Sequence, residues 1–177
     1  MKKLFITFFL LSIALLSSAT FATVNYAKSK KKVDVLFIQM ADKGVLKPIK
    51  NKPGFYELKL EGVKEYVQFF TDRPIRKAGI YPTDKFVQQW LIGKNNNSFN
   101  KVPPNAALSA IEIRLMKNKM LNTVLELSSP SYNSKQHTLT YIVQPLKGLA
   151  LQISQKSFKN VALFIDDYCA SCTGIGF

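Results

Sequence analysis

The run Phe69–Gly79 reads FFTDRPIRKAG and sets two guanidinium groups, a carboxylate and a proline side by side. Pro74 fixes its own φ and pushes Arg73 toward an extended backbone, which lets Arg73 and Arg76 lie close together. Guanidinium forks match carboxylates and phosphates in a two-point grip. Asp72 can accept a turn N–H or pair with either arginine. Two arrangements fit these residues. In a structural one, Asp72 and an arginine pin a crossover onto a sheet, Asn97, Ser98 and Asn105 order the long loop that follows, and Trp90 is core. In a binding one, Arg73 and Arg76 face a groove and hold an anion. Asn97, Ser98 and Asn105 then line its edge, and Tyr81 or Trp90 offers a stacking surface.

A second chemistry-bearing group is the C-terminal CASC, Cys169 and Cys172. This spacing permits a short disulfide, a redox-active pair or half of a metal site. A thiol oxidoreductase needs the motif at a helix N-terminus, and few residues follow it here. A four-cysteine zinc site lacks two of its cysteines, so the disulfide is the expectation and no metal or cofactor is implied. His137 is the only histidine and sits in the polar turn SYNSKQHT. With no G-x-S-x-G, H-E-x-x-H or Gly-rich phosphate loop, no catalytic residue stands out. Asp166 and Asp167 are adjacent on a strand and point to opposite faces. Asp72 with Asp84 or Asp166 is the remaining carboxylate pairing for a hydrolase.

The N-terminus sets the expected compartment. MKK, the apolar LFITFFLLSIALL and the small residues of SSATFA have the three-part order of a signal peptide, with cleavage expected after Ala22 and a cut after Ala19 as the alternative. The apolar run is shorter than the ~20 residues of a membrane span. Export to the periplasm or outside the cell follows, with no span left after cleavage. The chain has 177 residues and net charge +14; losing residues 1–22, with Lys2 and Lys3, leaves 155 residues and +12. That length suits one domain with a real core. The charge favours anionic envelope surfaces or acidic partners, but its scattered lysines lack the arginine–aromatic interleaving of specific nucleic-acid binding.

Residues 23–32 read as a flexible basic arm, 33–168 as a β-rich domain and 169–177 as the CxxC tail. Strands are expected at 33–40, in the alternating FYELKLEG and VKEYVQFF, and at 107–116, 119–130, 139–146, 149–154 and 160–168. The stretch 41–54 reads as a turn-rich link. The helix is expected at about 83–92, with Thr83 at its start and an apolar stripe of Phe86, Val87, Trp90 and Leu91. Short links imply antiparallel pairing. The fold class is mainly β: one antiparallel β-sandwich, or a strongly curved sheet with the helix plugging one end.

The combination of Phe70, Thr71, Asp72, Arg73, Pro74, Arg76, Ala78 and Gly79 with Trp90, Asn97-Ser98-Phe99 and Pro103-Pro104-Asn105-Ala106 resembles a family of small exported bacterial proteins of uncharacterised function. The resemblance spans roughly residues 55–167 and leaves out the lysine arm and the CASC tail. It implies export, a shared fold and a common polar centre, and it implies no reaction. The expectation is therefore an exported non-catalytic protein that binds an anionic cell-envelope component or partner through Asp72, Arg73 and Arg76. The alternative is an envelope interaction or assembly factor that uses the CxxC as a disulfide, and a hydrolase comes third.

Overall fold

The computed structural model describes residues 34–71, 73, 76–92, 98–146 and 155–169, all within one compact unit, Lys32–Phe177. The leader, the basic arm, the strand expected at 149–154 and the end of the CxxC tail lie outside the described residues. Among the described residues eight strands form: β1 Asp34–Pro48, β2 Tyr56–Glu61, β3 Tyr66–Thr71, β4 Ala78–Pro82, β5 Asn105–Glu112, β6 Lys119–Asn133, β7 Thr138–Pro145 and β8 Lys156–Cys169. The helix of the described residues, α1, spans Thr83–Ile92.

The strands make one antiparallel sheet in the order β2-β7-β6-β5-β8-β1-β3-β4, and β1 also pairs with β2. That extra pairing brings the sheet round on itself. Of the two expected architectures, the curved sheet forms, and six of its strands close into a barrel. Closure gives each of those six a neighbouring strand on both sides. β3 and β4 extend from the upper half of β1 as a flap, and β4 ends the sheet.

β1 makes this possible by changing neighbour along its length. Val35–Ile38 pair with β3 on one side, Lys43–Pro48 pair with β2 on the same side, and β8 follows on the other. The stretch read as a turn-rich link from residue 41 is therefore strand as far as Pro48. Gly44 misled that reading. It is a packing residue, because a Cβ there would stand 3.2 Å from Val161 and 3.4 Å from Leu60.

The inward side chains show where the barrel turns its corner. On β1, Val35, Phe37, Gln39 and Ala41 are buried, then Gly44 and Leu46. On β8, Ile165, Leu163 and Val161 are buried, then Phe158. Both strands skip a position at the same level. Asn160 has φ 51° there, where β8 carries a bulge against β5. An extra residue bends the strand and adds twist. A second bulge, at Ser129 (φ 50°), bends β6 against β7.

The lower barrel is aliphatic: Leu46, Leu58, Leu60, Leu108, Leu125, Leu127 and Val143 are buried, with Phe158 among them. Burying each such side chain is worth about 1.5–3 kcal/mol. The upper core is aromatic and belongs to the helix. Phe86 lies 4.8 Å from Phe37, and Trp90 lies 4.7 Å from Phe99 and 5.6 Å from Tyr141, ring centre to ring centre. The start of α1 is tied to the β2–β3 link: the Thr83 N–H donates to the Glu65 carbonyl and its hydroxyl to the Lys64 carbonyl, both at 2.9 Å.

Candidate functional site

The arginine segment forms the turn of the β3–β4 hairpin, at the upper end of the flap. Thr71 closes it. Its N–H donates to the Lys77 carbonyl, and the Lys77 N–H donates back to Thr71 Oγ1, both at 2.8 Å. The hydroxyl residue ahead of Asp-Arg-Pro is thus the clasp of the turn, and it is buried. Beyond it Arg73, Arg76 and Lys77 are exposed. Asp72 and Pro74 lie outside the described residues, as does Asn97.

Among the described residues, the structure does not gather Trp90, Ser98 and Asn105 around these arginines. Trp90 is 2% exposed and Ser98 is 1% exposed. Neither can face a groove. Trp90 stacks within the core, and the Ser98 carbonyl accepts the N–H groups of Lys101 and Val102 at 2.9 Å, turning the chain toward β5. Both take the structural role. Asn105 is exposed but begins β5, and β1 and β8 stand between β5 and β3. At 4.7–4.9 Å per strand, that is about 14 Å across the sheet. Tyr81 is half-buried against the core. Of the described members of the expected ligand set, Arg73 and Arg76 share one exposed turn.

His137 is exposed in the β6–β7 turn with φ 48°, and its carbonyl accepts the Val63 N–H at 2.9 Å. Asp166 is exposed on β8. β8 runs to Cys169, so the strand reaches the first CASC cysteine, and Cys172 is outside the described residues. No cluster that could hold a metal occurs among the described residues. No described helix is long and apolar enough to cross a membrane.

Two surface features escaped the sequence reading. One is the outer face of the upper sheet, where Met40, Tyr66, Phe70, Ile80 and Phe164 are exposed. A groove of about 310 Å³ runs between Met40, Tyr66, Gln68 and Asn160 there. The alternation that put Phe37 and Val67 inside put these residues outside. The other is the β5–β6 hairpin. Sequence alternation predicts a strand to Met116 with Lys117-Asn118 as the turn, but β5 ends at Glu112. Leu115 and Met116 are therefore fully exposed at the apex. The missed signal is the cation spacing: Arg114, Lys117 and Lys119 bracket the apolar pair.

The base of that hairpin is an ion cluster. Glu112 is buried and accepts from Arg114 Nη2 and Lys156 Nζ, each at 2.7 Å. The Arg114 hydrogen bond is the largest of the causes holding the Glu112 carboxyl below its ordinary value; Lys156 adds to it and burial opposes it. In the core, burial pushes the Tyr141 hydroxyl far above the usual phenol range, and it has no partner among the described residues.

The described residues define a mainly-β protein, a small closed antiparallel barrel with a flap and one short helix. Compared with models of protein families, with curated protein sequences and with solved structures, the chain matches none.

Proposed function

We propose that this is an exported binding protein for an anionic component of the cell envelope, acting without catalysis through Arg73 and Arg76. One observation carries the reading. Two guanidinium groups and Lys77 are presented to solvent on a turn clasped by Thr71, outside the core. Thr71 and Lys77 close the base of the hairpin turn, and guanidinium forks match a phosphate or carboxylate in a two-point grip. The signal-peptide pattern and the net charge of the chain agree with it.

The test compares thermal melting of the chain from Thr23 onward, wild type beside Arg73→Ala/Arg76→Ala, with and without lipopolysaccharide. The reading expects equal melting temperatures without ligand, and a stabilising shift that only the wild type shows. A double mutant that melts many degrees lower would make the arginines part of the fold, and the binding reading would fail.

A further inference from the structure

The three cationic side chains of the β5–β6 hairpin bracket an apex that is apolar. Most exposed turns carry polar residues, because their side chains stand in water. Here Leu115 and Met116 have no neighbour that shields them, and Ile113 and Met120 at the sides are half or more exposed. The hairpin is nonetheless rigidly based. Glu112 ties its root to β8 through Lys156, and the Ile113 N–H donates to the Ser157 carbonyl at 2.9 Å.

The antiparallel order places the β1–β2 turn at the same end of the barrel as this apex. That turn adds Lys50 and Lys52, both exposed. Among the described residues this end carries Lys47, Arg114, Lys117, Lys119 and Lys156 beside them, opposed nearby by Glu57 and the already paired Glu112.

We propose that this end of the barrel docks on an anionic lipid bilayer. Leu115 and Met116 enter the boundary between headgroups and acyl chains, and the surrounding lysines meet lipid phosphates. An apolar pair at a convex tip has no pocket to offer a ligand but is shaped to enter a soft surface. Flanking lysines and arginines can keep their charges at the headgroups while their stems lie along the apolar layer. Basic residues beside an inserted apolar element strengthen attachment to anionic lipid, and salt weakens it. The inference is independent of Arg73 and Arg76, which stand at the opposite end.

The chain from Thr23 onward contains the whole compact unit and is tested by vesicle co-sedimentation. Vesicles of phosphatidylcholine alone are compared with vesicles containing phosphatidylglycerol. The wild type is expected to bind the anionic vesicles at least tenfold more tightly, and less so as salt rises. Leu115→Ser/Met116→Ser is expected to lose at least tenfold in affinity with unchanged melting, while Arg73→Ala/Arg76→Ala binds vesicles as the wild type does. A Leu115→Trp variant adds a direct readout, since brominated acyl chains should quench the new indole but not the buried Trp90. Equal binding to both vesicle types, serine variants that bind normally, or an indole at the apex that bromine leaves unquenched would each overturn the proposal. The last two would leave the apex as a contact for a protein partner. Loss of vesicle binding in the arginine mutant alone would move the lipid contact to the other end.

Discussion

The β3–β4 and β5–β6 hairpins both carry a cluster of cations, and they leave the barrel at opposite ends. The first is closed by its own turn: Thr71 clasps Lys77, and the arginines project beyond that clasp. The second is closed from below. Buried Glu112 gathers Arg114 from the hairpin and Lys156 from the neighbouring strand, while the apex keeps its apolar residues in water. The contrast teaches that density of polar residues in a sequence first marks local order. Apolar residues held away from the core mark contact with something else.

The two ends also rest on different cores, and this is where the comparison can be broken most forcefully. Trp90→Ala removes the ring that joins α1 to the barrel wall through Phe99 and Tyr141. It should cost about 3–5 kcal/mol in urea unfolding. The lower hairpin should be far less sensitive. Glu112→Ala should cost about 1.5–3 kcal/mol by the same measurement, because it leaves Arg114 and Lys156 without their shared carboxylate.

The pH dependence of that difference sharpens it. The Glu112 carboxyl is lowered from 4.5 in the folded state, so its contribution is complete above that value and fades as pH falls through the lowered one. Wild type should lose stability over that acidic range, and Glu112→Gln should show a flatter profile there.

Smaller effects test the two ends more finely. Tyr141→Phe removes a buried hydroxyl with no described partner and keeps the ring against Trp90. It should change stability by less than about 1 kcal/mol, in the stabilising direction if at all. Least of all, Arg76→Ala and Leu115→Ser should each stay within about 0.5 kcal/mol of wild type, since both side chains are exposed. A large loss from either would mean that its hairpin is part of the scaffold.

Most of the strands and the helix were legible because alternation and the Phe86–Trp90 stripe are local signals. The second half of β1 was not. Glycine and proline are turn-formers by local preference, and only tertiary packing against Val161 and Leu60 makes Gly44 a strand residue. The site was less legible. Ser98 and Trp90 share polar or amphipathic character with ligand-binding residues, and their burial depends on elements far away in the chain. Arg73 and Arg76 were readable as a pair because a single turn carries them. The apolar apex was hidden because Leu115 and Met116 continue the pattern of the strand before them.

The pairing of β1 with β8 has a consequence for how the molecule comes into being. The first strand of the barrel is bonded along nearly its whole length to the last one, from Asp34 opposite Cys169 to Leu46 opposite Lys156. Contacts between such distant parts of a chain form slowly, because a long loop must close before they bring any gain. Until β8 is in place the other seven strands form an open sheet, in which β1 has β2 and β3 on one side and no neighbour on the other. The finished shape arrives with β8, and a chain cut short before it has an unzipped seam down its side.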